Sequence, residues 1–438
     1  MLSAAKAKIC FNRCYPGNDC FPTAADIAKF QHTIDGYIVL PSNKSYRDVI
    51  FMHNQQYLKF PAVVVMVLSE KDIQKSVLFA RLHNLHLTVK SSGHDYIGRS
   101  TWAGSFQINL ALMKHIKVNL TSHRSADGEL TVESGANWQE IYKEINKYNR
   151  VIVGGSSQTV TPGGYTQGGG HSILSRILGL AVDQILEMNV ITTNGSIIRT
   201  TNTSSDIYNP DGSHMVTSDN SLFWALRGGG GGTFGIVASY TFKIHSPPRQ
   251  YVRVTMTYPL SLNGNTSVGI EILQFYSHFV KGMPKEWGGY FFLSNTNRSL
   301  GRNESIVGTI SFLYCHYGEW NQSSREYMLL WDSFHPEWRL DYNVQNISSF
   351  WDGFGSKMTD SPWSRVYVTG SFIQDTGIGS HLIDFIIDLL TRPVNDKNPM
   401  YACVGTHLGG RIAEYDPLET PIHPGFRNAI LCLGCVVA

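Results

Sequence analysis

The alternation of apolar and polar positions changes period repeatedly along the chain, and each change predicts an element. Pro61-Ala-Val-Val-Val-Met-Val-Leu68 is a continuous apolar run rich in β-branched residues, the pattern of a buried strand. The period then becomes helical. Ser69 can cap, Glu70 and Asp72 occupy a first turn, and Ile73, Val77, Leu78 and Ala80 make an apolar face. Leu85–Lys90 is a second short strand, so 61–90 reads as a strand–helix–strand unit with a loop, 91–100, at the carboxyl end of a strand.

Further along, Ala24–Phe30 predicts a short helix behind Thr23, and Phe106–Leu110 and Leu130–Ser134 predict strands. Gln139–Tyr148 carries Ile141, Tyr142 and Ile145 on one helical face, and Val151–Val153 is a brief strand. Asp183–Thr193 and Ser196–Thr200 flank Asn194-Gly195, a hairpin turn pair. Asn220–Arg227 reads as a helix and Phe234–Ile244 as a strand. Ser246-Pro-Pro-Arg249 reads as a linker. Beyond it, strands such as Tyr251–Tyr258, Gly289–Leu293 and Ser305–Tyr314 alternate with helices at 267–281 and 381–390. The expected organisation is an N-terminal cysteine-bearing arm (1–56), a first domain (57–246) and a second α+β domain (247–438).

Composition narrows the class. Hydrophobic residues make up 42% and charged residues 16%, which is globular. A net charge of +2 without a basic run argues against a nucleic-acid partner, and no apolar run is long enough for a membrane span. Seven cysteines show no zinc-ligand spacing, so no metal site is expected. Nine Asn-x-Ser/Thr sequons, at Asn43, Asn119, Asn194, Asn202, Asn265, Asn297, Asn303, Asn321 and Asn346, point toward the secretory pathway, although Met1–Lys8 has no apolar signal core.

The candidate chemistry sits in glycine-rich stretches. Lys90-Ser-Ser-Gly-His-Asp-Tyr-Ile-Gly-Arg-Ser100 offers small residues whose N–H groups can turn toward an anion, and one histidine. Gly154–Ser172 carries five glycines between 163 and 170, suited to backbone laid against a flat ligand. Gly230–Gly235 satisfies G-x-G-x-x-G, but a helix precedes it and a strand follows, the reverse of a dinucleotide fold. There is no Gly-x-Ser-x-Gly elbow and no His-Glu-x-x-His, and His171 reads as a histidine packed at a helix start.

Taken in order, Ser-Gly-His-Asp-Tyr96, Gly163-Gly-Tyr-Thr-Gln-Gly-Gly-Gly-His-Ser172, Asp183-Gln-Ile-Leu-Glu187 and Leu222–Val237 resemble the berberine-bridge-enzyme-like FAD-linked oxidoreductases of the vanillyl-alcohol-oxidase superfamily. The fungal-type secreted alcohol oxidases are the most similar subgroup, and Pro424–Asn428 extends the likeness. The resemblance implies a two-part PCMH-type FAD-binding domain followed by an α+β substrate domain with an antiparallel sheet. It implies FAD attached through His94. Ser91, Ser92, Gly93, Asp95 and Gly98 would line the pyrophosphate loop, and Ser157, Thr159, Gly163, Gly164, Gly168, Gly169, Gly232, Phe234, Gly235, Ile236 and Val237 would border the cofactor. Ser157 stands where many relatives carry a second, cysteinyl link, so attachment through His94 alone is expected. A hydride would pass from an alcohol, sugar or secondary metabolite to flavin, with dioxygen as acceptor. Tyr165, His407 and Glu419 are the candidate bases. Relatives usually continue beyond the position of Ala438, and a non-catalytic flavoprotein lacking that tail is the alternative expectation.

Overall fold

A computed structural model describes residues 13–297, 305–360, 366–395 and 399–437. Three sheets organise these residues, and their apolar cores run into one another.

The strand–helix–strand unit forms as its pattern predicts. Val63–Met66 is buried at every position, and the helix Glu70–Leu82 starts at Ser69, whose hydroxyl accepts from Asp72 N–H. The flanking strands Val63–Met66 and Leu87–Lys90 both run parallel to Phe106–Asn109, which lies between them. A fourth strand, Tyr37–Val39, pairs antiparallel with Val63–Met66. The expected arm is therefore built into the first sheet from residue 37 onward, and the Cys14–Cys20 disulfide closes the turn before it. The reason is apolar. Phe30 and Ile34 join Ile73, Val77 and Phe106 in one core that the arm must cover.

A second sheet of seven antiparallel strands has Ile236–Lys243 between Ile185–Ile191 and Glu129–Glu133. The Asn194-Gly195 turn forms, with Gly195 at φ 84° and Thr192 N–H donating to Ser196 O at 3.0 Å. The expected Val151–Val153 strand shrinks to a single bridge between Val151 and His245. The helix Trp138–Asn146, held by an Asn137/Glu140 capping box, packs Trp138, Ile141, Tyr142 and Ile145 beneath this sheet.

The third sheet is a seven-stranded antiparallel layer covered by helices Ser267–Lys281, Gln322–Asp332 and Ser380–Leu390. Its strands Asp341–Ile347, Tyr367–Ile373, Tyr401–His407 and Leu431–Val437 were not anticipated from the sequence. A second disulfide, Cys403–Cys435, joins two of them. The domains share a core rather than a thin hinge, because Tyr251, Tyr290, Cys315, Ile347 and Phe350 pack with Trp138 and Tyr142. Arg176 adds a polar clamp. It is 5% exposed, and its guanidinium donates to the carbonyls of Trp287 at 2.9 Å, Met283 at 2.7 Å and Leu408.

Candidate active site

The His94 loop leaves the carboxyl end of Leu87–Lys90, the edge of a parallel sheet where ligands commonly bind. Gly93 is required there. Its φ is 86°, and a Cβ would stand 2.7 Å from Phe51 O. Ser91 fastens the loop, with Oγ 2.6 Å from both Ser134 O and Thr161 Oγ1. Thr161 precedes the short helix Pro162–Gln167 and makes no side-chain cap bond of its own. Asp95 and Gly98 shape the loop from within. The Asp95 carboxylate receives Arg99 Nη2 at 3.0 Å, and Gly98 N–H donates to Asp95 O at 3.2 Å. Asp95 thus pairs with Arg99 inside the loop expected to border the cofactor. Ser92 is half-buried in the same loop.

His94 itself sits in a polar cluster. Its ring stacks on His53 with centroids 3.4 Å apart, and its Nε2 is 2.7 Å from Thr159 Oγ1 and 3.9 Å from Asp360 Oδ2. Burial holds His94 neutral, with a pKa lowered to about 4; His53 and Lys90 add to this, while the Asp360 carboxylate opposes it. Asp360 accepts Thr159 N–H at 2.7 Å and the hydroxyls of Thr159 and Ser157. Lys90, 5% exposed beside the loop, is brought down to about 8 by burial.

The glycines divide into two kinds. An added Cβ at Gly164, Gly230, Gly231 or Gly232 meets nothing but, at most, the Thr233 hydroxyl 3.8 Å from Gly230, and at Gly168 it meets only backbone oxygens at 3.6 Å. Gly230 N–H donates to Gln167 O at 3.0 Å, so the two glycine segments adjoin in one open surface. Gly163 continues it toward Ser91, whose Cβ would lie 3.6 Å from an added Cβ. The other expected members serve packing. Gly169 faces Phe426 and Ile422, and Gly235 backs onto Val190 and Ile191. Ile236 and Val237 are buried in strand cores, while Phe234 stays exposed. A flat cofactor fits this arrangement: bare backbone on one wall, and a neutral imidazole on the loop that Ser91 brings up to Gly163.

The candidate bases are not gathered there. Tyr165 donates to His171 O at 2.7 Å, and burial drives its pKa well above the usual tyrosine value. His407 is 1% exposed, with Nε2 3.0 Å from Tyr276 OH in the helix-covered core, and its pKa falls to about 3 through burial. Its neighbour Thr406 takes the opposite face and places Oγ1 3.3 Å from His171 Nδ1. Glu419 is exposed in the turn Pro417–Glu419, where Leu418 O accepts from Trp224 Nε1 at 2.9 Å. Conversely, nothing along the chain singles out His53 or Asp360. Asp360 lies 201 positions from Thr159, and no local pattern marks either residue.

Comparison with known proteins agrees with this geometry. Residues 61–201 match the FAD binding domain family. FAD-linked oxidoreductase ZEB1 of Gibberella zeae is 31% identical over 479 aligned positions, covering 96% of this chain and 77% of that protein. The chain belongs to the FAD-linked oxidoreductases. FAD-linked oxidoreductase patO of Aspergillus clavatus is 32% identical over 53% of this chain, but the match spans only 46% of patO. Among solved structures, the VAO-type flavoprotein MtVAO713 from Myceliophthora thermophila C1 superposes with a TM-score of 0.78 at 19% identity, covering 97% of this chain and 82% of that one. Its likeness shows the fold: one small mixed sheet and two antiparallel sheets. FAD is the cofactor of this family, and the matched residues contain both the His94 loop and the Gly164–Gly168 wall.

Proposed function

We propose that the chain is an FAD-linked oxidase of small organic molecules, with its flavin joined covalently to His94 and to no cysteine. The observation that carries the reading is the open glycine surface, which Gly163 continues toward Ser91 of the loop that bears the half-buried, neutral His94. Bound FAD supplies the two-electron chemistry. The chain's own residues do the rest. Gly164, Gly168 and Gly230–Gly232 admit the ring system, Ser91 and Thr161 brace the His94 loop, and Ser157 offers a hydroxyl that forms no thioether.

The substrate side is the face of the third sheet away from its helices, buried at Thr406 and Tyr290 and exposed at Phe292 and Val404. Thr406 and Tyr290 are cross-strand partners beside His171, and the exposed partners Phe292 and Val404 continue that face. This mixed apolar and hydroxyl lining suits an alcohol or a sugar. A xylooligosaccharide oxidase from Myceliophthora thermophila C1, solved in complex with xylobiose, shares the fold with a TM-score of 0.72 at 19% identity. Dioxygen is the proposed acceptor, as in a relative called a VAO-type flavoprotein oxidase, VAO615 of Thermothelomyces thermophilus, which is 37% identical over 50% of this chain and 37% of its own length.

The test is the visible spectrum before and after acid precipitation, with oxygen uptake across a panel of alcohols and sugars. A yellow pellet that becomes colourless in His94→Ala, with peroxide formed on at least one substrate, supports the reading. Colour left in the supernatant of the wild type removes the covalent link. Secretion is part of the same proposal. Asn43, Asn194, Asn202, Asn265, Asn321 and Asn346 are exposed, and a mass loss on endoglycosidase treatment of secreted protein checks it.

A further inference from the structure

Side-chain chemistry fixes the direction of the hydrogen bonds around His94. An ionised carboxylate only accepts, and Asp360 receives the Thr159 N–H at 2.7 Å together with the hydroxyls of Thr159 and Ser157. The single hydroxyl hydrogen of Thr159 is therefore directed at Asp360. Thr159 Oγ1 then faces His94 Nε2, 2.7 Å away, as an acceptor, so that nitrogen carries the ring hydrogen. His53 follows the same pattern: its Nε2 is 3.3 Å from the same oxygen, and its buried Nδ1 has no partner.

We infer that Asp360, acting through Thr159, is a positioning residue that holds His94 in its Nε2–H tautomer and leaves the lone pair on Nδ1. The second domain supplies this residue to the first. Its chain is pinned close by, because Asn54 Nδ2 donates to Val366 O at 3.0 Å and Val366 N–H donates to Asn54 Oδ1 at 3.3 Å. Ser157, at the position of the second link in many relatives, here donates to Asp360.

The inference rests on the covalent reading and gives it an atomic route. A bond would form between His94 Nδ1 and the flavin 8α carbon, which would lose one proton, while Nε2 would give up its own toward Thr159 and Asp360. The two electrons freed would go, with those two protons, to dioxygen as the oxidant, giving hydrogen peroxide. While Nε2 still holds its proton the ring is cationic, and the Asp360 carboxylate 3.9 Å away balances that charge.

The experiment uses the full chain labelled with 15N-histidine and loaded with 8-demethyl-FAD, which fills the site and cannot be attached. Nitrogen shifts report the tautomer, and His94→Gln assigns the signals. Wild type and Thr159→Ser should show Nε2–H, and Thr159→Val should show a mixture. With ordinary FAD, the flavin fraction retained on a denaturing gel should match wild type in Thr159→Ser and fall at least tenfold in Thr159→Val and Asp360→Ala. An Nδ1–H signal in the wild type overturns the inference, as does Thr159→Val with the wild-type tautomer and wild-type attachment. Should Asp360→Ala not fold, the valine and serine pair still decides. A wild type that binds FAD but retains none on the gel fails the covalent reading instead, and the tautomer spectrum then judges the positioning role by itself.

Discussion

Gly164→Ala should stabilise the flavin-free chain and weaken the flavin-loaded one. Gly164 lies in the helix Pro162–Gln167, is exposed, and a Cβ there meets nothing within 4 Å. An alanine therefore brings no clash and removes the backbone freedom of glycine, worth about 0.5–1 kcal/mol in a helix. For a domain of this size that is a rise of roughly 1–4 °C in the unfolding temperature. The same methyl stands on the wall proposed for the ring system. On the proposed placement a rigid ring also lies against Gly168 and Gly232 and could not retreat from the methyl, so the flavin dissociation constant should rise at least about tenfold, or roughly 1.4 kcal/mol. The assay is thermal unfolding with and without FAD plus a fluorescence-quenching titration, in a His94→Ala background from which flavin can be removed. Gly282→Ala is the control, since it sits at the end of the helix Ser267–Lys281 in the other domain. An unchanged dissociation constant in Gly164→Ala would refute the placement of the cofactor on the glycine wall.

Other substitutions test the frame around the site. Arg427→Leu removes the partner of Asp183 from a 2.6 Å ion pair whose side chains are 2% and 0% exposed, and chemical denaturation should show a loss of about 3–5 kcal/mol, largely relieved by adding Asp183→Leu. Cys403→Ser opens a disulfide that closes 32 residues of chain, and should lower stability by about 3–4 kcal/mol under oxidising conditions only. His407 has its folded pKa depressed to about 3 from 6.5, so the unfolded chain binds its proton first on acidification. Its contribution is complete above pH 6.5 and declines as pH falls toward 3, by up to about 1.4 kcal/mol per pH unit. His407→Gln, which cannot titrate, should flatten this acid limb in urea midpoints measured across that range.

Elements whose signals are local can be read directly from the residues. A β-branched run, a capped amphipathic stretch and an Asn-Gly pair each act through near neighbours, so Val63–Met66, Glu70–Leu82 and the turn at Gly195 form where the pattern places them. The His94 loop and both glycine segments were legible for the same reason, since small residues announce close approach of a ligand or a backbone. Pro162–Gln167 was harder to read, because its two glycines disguise a helix whose starting signal is Thr161-Pro162. The strand Tyr367–Ile373 was also hidden: five of its seven residues are exposed, so no alternation marks it, and it forms because Leu431–Val437 lies alongside. Only the tertiary structure decided which chemistry meets. Asp360 reaches Thr159 across 201 positions because the two domains share a core. His407 and Thr406 differ by one step along a strand, and that step sends one side chain into the helix-covered core and the other to the face that meets His171. Strand parity is set by pairing with distant strands and by which face is covered, and neither quantity is written in the residues next to it.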